Sequence, residues 1–267
     1  MIAVSSMIFV FCAIQIPDGT DYALGVHHKA WLRHPVYGDP SFDAFERLPG
    51  NPVVVGKPPL EWPVNGFLFE DPASGNWYLY AGNYAAGYAL GPDKKSICTV
   101  YRSTDKGDTW EALGPIFNDD TFRFDSDTST SNVAPDVSVV YHEGRYHLVY
   151  DWANDKASWS NLAAPANRDN DSGVGYAWAE RPEGPFTRAT TPVKRTSEQP
   201  LLCDRYRRLY ASTLIRREND WLILTLTDSG PYFAWALLGM TASTPEGPWS
   251  DLVPLLHVDQ QRYLPPL

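Results

Sequence analysis

The chain has 267 residues, enough for one large domain or two small ones with a substantial core. Its 22 basic and 32 acidic side chains leave a net charge of −10, which argues against nucleic-acid or anionic-membrane partners, because phosphate contacts need a basic surface. Hydrophobic residues at 43% exclude a mostly disordered chain, and 19 Gly with 23 Pro exclude long helices.

The N-terminal apolar run, Met1 to Ile16, is too short to span a bilayer comfortably and lacks the Lys or Arg that opens a secretory signal. A degenerate signal peptide, a peripheral strand and a start inside a longer reading frame all fit it, so localisation stays open. Residues 1–62 read as an irregular lead-in, because prolines at 17, 35, 40, 49, 52, 58 and 59 interrupt any helical period. Residues 63–267 read as the folded domain. Three widely spaced cysteines (Cys12, Cys98, Cys203) give neither a disulfide framework nor a zinc motif.

From Pro63 onward, short β-branched and aromatic runs alternate with Gly, Asn and Asp turns, the signature of strands and hairpins. Three hairpins stand out. Phe67–Phe69 turns through Asp71–Gly75 into Trp77–Tyr80, Val137–Tyr141 through His142–Arg145 into Tyr146–Tyr150, and Leu214–Ile215 through Glu218–Asp220 into Trp221–Leu226. Each unit closes on a similar phrase. Glu180-Arg-Pro-Glu-Gly-Pro-Phe-Thr187 recurs 63 residues later as Ser243-Thr-Pro-Glu-Gly-Pro-Trp-Ser250, and the first unit has Arg102-Ser-Thr-Asp-Lys-Gly-Asp-Thr-Trp110. Three repeated units of four short antiparallel strands predict an all-β protein built of β-propeller blades. In the first phrase Asp105 is expected to accept turn N–H groups and Gly107 to take φ > 0. Glu183 and Glu246 are expected to be solvated.

The inner strands begin at Trp62-Pro63-Val64-Asn65-Gly66, Ala134-Pro135-Asp136-Val137-Ser138 and Leu209-Tyr210-Ala211. Ala-Pro-Asp-Val, followed by Val-Val-Tyr, a Gly turn and Tyr-x-Leu-x-Tyr, resembles the second blade of the five-bladed glycoside hydrolases of family 43 and relatives. Trp77-Tyr-Leu-Tyr80, Arg-Ser-x-Asp and the two Pro-Glu-Gly-Pro phrases are similar to that family too, over about residues 63–255. With three units against the family's five blades, the resemblance implies a chain incomplete at its C-terminus.

The resemblance implies inverting hydrolysis of glycosidic bonds in plant or algal oligo- and polysaccharides, from the chain end, by carboxylates around the funnel. Asp136 matches the carboxylate that tunes and orients the acid. A partner carboxyl is then needed about 6.5–9.5 Å from the acid, with room for water. Val64 or Asn65 stands where the resemblance places the base, and Tyr210 or Ala211 where it places the acid, and none of these transfers the proton. Glu61 is the nearest substitute for the base, and Glu198 and Asp204 are the substitutes for the acid.

Trp62, Trp152 and Trp159 are candidate sugar platforms, and Asn65, Asp151 and Tyr210 are candidate hydroxyl partners. No cofactor is implied. Some relatives hold an axial calcium ion, for which no ligand set is visible here. The expected partner is a carbohydrate, taken by a monomer. A non-catalytic carbohydrate-binding propeller is the first rival. A sialidase-like protein is the second, resting on the single Asp-box phrase and on the clustered Arg205, Arg207 and Arg208.

Overall fold

The computed structural model describes residue 54 and residues 60–85, 97–118, 122–124, 131–154, 171–199, 209–229 and 234–257. Among them there is no α-helix, and no helix long and apolar enough to cross a membrane. The lead-in up to residue 59 lies outside the described residues, Val54 apart, as do Trp159, Asp204 and the 205–208 arginines.

Three antiparallel sheets follow one another along the chain. The first is β1 (Leu60–Glu70), β2 (Trp77–Ala85), β3 (Ile97–Ser103) and β4 (Glu111–Pro115). The second is β5 (Ser131–His142), β6 (Arg145–Asn154), β7 (Ser172–Ala179) and an interrupted outer edge, β8 (Thr187–Arg188) and β9 (Lys194–Arg195), both paired to β7. In the third, β10 (Leu209–Arg216), β11 (Trp221–Ser229), β12 (Ala234–Ala242) and β13 (Val253–His257) repeat the meander. All three hairpins fall where the sequence places them, and the closing phrases form the turns that lead to the outer strands.

Strand parity explains how the sheets stack. In β6, Tyr146, Leu148, Tyr150 and Trp152 join a core with Tyr78, Tyr80 and Val100 of the first sheet. Val149, pointing the other way, joins a second core with Leu214, Trp221, Ile223 and Met240 of the third. Apart from Arg145, β6 is buried on both faces, which is why its sequence runs apolar almost without alternation. At ~25 cal/mol per Å², each aromatic buried in these cores stabilises the fold by a few kcal/mol.

Two details fix the close contacts. Gly175 pairs with Tyr150 across the β6–β7 ladder, and a Cβ there would meet the Tyr150 ring carbon Cζ at 2.3 Å. That ring is buried, so Gly175→Ala is expected to cost about 1–3 kcal/mol by overpacking, read as a lower urea midpoint at unchanged slope.

Asp71 opens the first hairpin turn. It accepts Ala73 N–H and Ser74 N–H, each at 3.1 Å, the Ser74 hydroxyl at 2.5 Å, and the Tyr146 hydroxyl of the next sheet at 2.7 Å. Burial pushes its carboxyl up, but the hydrogen bonds from Ser74, Tyr146 and the turn backbone outweigh it and hold it below the ordinary 3.8. Asp71→Ala is expected to cost about 1–3 kcal/mol, because it strands the Tyr146 hydroxyl. A depressed carboxyl stabilises above its unfolded pKa, and that contribution is lost as pH falls through the folded value. The gap between wild type and variant in urea melts therefore narrows below pH 3.8.

The closing turns behave largely as the sequence predicts. Asp105 accepts Thr109 N–H at 2.9 Å and is pulled down to about 2, chiefly by the Thr109 hydroxyl, while Gly107 adopts φ 103°. Glu183 and Glu246 depart from the solvated expectation in part. Glu183 is half-buried beside Arg181, and the exposed Glu246 accepts the Tyr176 hydroxyl at 3.2 Å.

Candidate active site

The inner strands β1, β5 and β10 lie side by side, with β5 against both others, and each breaks its ladder at the same height. In β1, Asn65 and Gly66 stand opposite Ala81 alone. In β5, residues 134–136 stand opposite Asp151, and in β10, Ala211 and Ser212 stand opposite Thr225. Extra residues of this kind bend a strand and aim its side chains off the ladder, and such bulges concentrate beside active sites.

Counting back from the resumed ladder makes Gly66, Asp136 and Ser212 equivalent, and likewise Asn65, Pro135 and Ala211. The sequence alignment on Val64 and Tyr210 therefore runs two residues early in both outer blades, and the alternatives Asn65 and Ala211 one residue early. The corrected positions still hold no carboxylate.

Asp136 is half-buried at its bulge and hydrogen-bonded to Asn65 and Asp151. Asn65 reaches it from a left-handed backbone, φ 49°, a conformation Asn tolerates better than most residues. Burial drives the Asp136 carboxyl up to about 6, against the downward pull of its two hydrogen bonds. Asp151 is 1% exposed and lies well above the ordinary range, pushed first by burial and then by the Asp136 charge. Its carboxyl accepts the backbone N–H groups of Ala211 and Ser212 from the third blade. Two carboxyls in hydrogen-bond contact cannot both ionise near neutrality, so the pair holds a proton there.

This changes the sequence-derived site in three places. Asp151 is not an open hydroxyl partner but the buried neighbour of Asp136, far closer than the separation inversion needs between acid and base. Trp152, expected as a sugar platform, is 1% exposed and packed between Phe124, at 4.8 Å, and the Arg195 guanidinium, at 5.3 Å. Glu198 lies exposed on a 3-10 turn, Thr196–Glu198, with its carboxylate 3.7 Å from Arg195.

The remaining candidates sit on the inner strands. Tyr210 is half-buried just ahead of the β10 bulge, and its carbonyl accepts the Thr225 hydroxyl at 3.3 Å. Glu61 and Trp62 belong to β1, where Glu61 occupies a further irregularity between the Leu60 and Trp62 pairings. The signal that would have found the Asp151 role is Asp151 itself, the one acidic residue in the apolar run of β6. No three His, Cys, Asp or Glu side chains converge among the described residues, so Asp136 and Asp151 do not by themselves make up the oxygen set that a calcium ion needs.

Among solved structures, the chain is similar to a family 117 glycoside hydrolase of the marine bacterium Zobellia galactanivorans, at 17% identity and TM-score 0.51 over 72% of this chain and 55% of that one. It is also similar to a thermostable family-43 glycoside hydrolase, at 14% identity and TM-score 0.50 over 78% and 57%. The chain has their β-propeller fold. Bacillus subtilis levansucrase matches at 12% identity and TM-score 0.48, over 72% of this chain and 52% of that one. The chain spans about half the length of the solved structures it matches. No protein-family model matches it, and no curated protein sequence does.

Proposed function

We propose that this chain is the propeller part, residues 63–267 behind a lead-in of 1–62, of a glycoside hydrolase acting on plant or algal oligo- and polysaccharides. In this reading it works as a monomer, from the chain end, with inversion. One observation carries it: a carboxyl lifted to about 6 stands half-buried at the bulge of an inner strand. A group that is still largely protonated in weakly acidic solution, and that is partly open to it, suits a general acid.

Asp136 gives its proton to the glycosidic oxygen as the bond from the anomeric carbon breaks. Water attacks that carbon from the opposite side and loses its proton to a second carboxylate, for which we assign Glu61 on the neighbouring inner strand. Glu198 and Asp204 are the alternative carboxylates on the stretch of chain leading into the third blade, and Trp62, Asn65 and Tyr210 are the sugar contacts. The reaction draws on no cofactor. The resemblance gives Asp136 a tuning role. Here it takes the acid role, because Ala211 and Ser212 fill the third-blade positions where the acid would stand.

The same two positions, with Asn65 and Gly66 in the first blade, favour one second reading, a propeller that binds carbohydrate without cleaving it. Hydrolysis of nitrophenyl arabinofuranoside, xyloside, galactoside and sialoside separates the two. Turnover with the inverted anomer as the first product, seen by proton NMR, supports the hydrolase. Binding of arabino- or xylo-oligosaccharides with no turnover of any substrate overturns it in favour of the binding propeller.

A further inference from the structure

Asp151 is more elaborately held than a spectator beside a catalytic carboxyl needs to be. It stands on β6 opposite the three-residue bulge that carries Asp136, while both of its backbone donors come from β10 in the next blade. One donor, Ala211, sits at φ 50° without the glycine or asparagine that usually takes that conformation. Its neighbour Ser212 donates its hydroxyl to Thr225 Oγ1 at 3.1 Å, which ties the bulge to β11 as well. The two N–H groups go to different oxygens, Ala211 to Oδ2 and Ser212 to Oδ1, so an asparagine with its single oxygen would accept only one of them. The other groups facing the pair are the Ser212 hydroxyl, which hydrogen-bonds Asp151, Asn65 of β1, and the buried Cys98 thiol of β3, which burial and the Asp136 charge keep protonated.

We propose that Asp151 is a positioning residue: both carboxyls are protonated in the acid form, and once Asp136 has given up its proton the pair shares the one that Asp151 keeps, so that Asp136 is held in one orientation and the carboxylate it becomes is met by an O–H donor. This rests on the glycosidase reading of the site. When Asp136 releases its proton to the leaving oxygen, Asp151 keeps its own and donates that hydrogen bond to the new anion. Solvent then reprotonates Asp136, and Asp151 returns to its starting state with no net change.

The test is 13C NMR of the chain labelled at the aspartate carboxyls, titrated from pH 3 to 9, for wild type, Asp151→Asn and Asp136→Asn. In wild type one carboxyl of the pair is expected to stay protonated at pH 8, and Asp151→Asn should lose that signal. In Asp136→Asn the proton on Asp151 should leave at lower pH, because its anionic neighbour is gone. This second variant decides the matter if Asp151→Asn does not fold. On a cleaved glycoside, Asp151→Asn is expected to move the alkaline limb of kcat/KM upward, since an amide N–H meets the Asp136 anion more weakly than an O–H does. Full ionisation of both carboxyls in wild type at pH 8, or an unmoved limb in a folded Asp151→Asn, overturns the proposal. A shared proton without any glycoside cleavage would sink the hydrolase reading alone, and cleavage without a shared proton would sink this one alone.

Discussion

Asp136→Asn is expected to cut kcat about 10²–10⁴-fold, the range that a positioned general acid supplies, with KM changed far less. Asparagine keeps the size and the hydrogen bonds toward Asn65 and Asp151, so the bulge should stay intact while the transferable proton is gone. Stability should move the other way. The Asp136 carboxyl lies above its ordinary 3.8 in the fold, so the folded chain binds this proton more tightly than the unfolded one. Its contribution is therefore complete below the unfolded value and is lost as pH rises through about 6. At pH 8 the variant should melt no lower than wild type. A variant that is inactive and equally stable identifies a group kept for chemistry, whereas equal loss of both would make Asp136 a structural cap.

Trp221→Ala is expected to produce the opposite pattern, a loss of about 3–5 kcal/mol in urea unfolding. Trp221 begins β11 with 2% of its surface exposed. Its ring lies edge-on to His147 at 5.3 Å and to His142 at 5.4 Å, with the Arg216 guanidinium 5.5 Å away. Truncation removes the largest side chain of the core between the second and third sheets. It also opens space beside His147, whose Nδ1 lies 2.7 Å from the Tyr176 hydroxyl. Trp221→Phe keeps much of the area and should cost less. A fall under 1 kcal/mol for the alanine variant would mean that the two sheets are not held by this core. Because Trp221 lies at the hairpin end, away from the bulges, the folded fraction should keep its activity.

The hairpins were legible because each sets short β-branched and aromatic runs on either side of a turn with its own chemistry, and the repeated closing phrases showed the blade as a unit. Asp136 was legible because Ala-Pro-Asp-Val surrounds it. Its partner was not. A slip of one residue reverses the face of every side chain in a strand, so the inward turn of Trp152 toward Phe124 depends on pairings that no local pattern specifies. The bulges are hidden for the same reason, since an extra residue exists only relative to the strand beside it. Ala211 gave no warning of its left-handed backbone, because the support comes from Asp151, sixty residues earlier in the chain. Asp151 read as a polar group near a strand end, and only the cross-blade N–H bonds show it to be interior.

The three bulges stand where the ladders are interrupted, so positions 66, 136 and 212 contribute no paired register of their own. Folding and reactivity are thereby written at separate addresses. Gly66 can be exchanged for an acidic residue, or Asp136 for a neutral one, with the sheets still reading the same pairing instructions on either side. An added side chain at position 66 would press mainly on the Leu79 methyl end, which is free to rotate aside. The charge carried at these positions can thus change by a single codon while the strand register on either side stays the same.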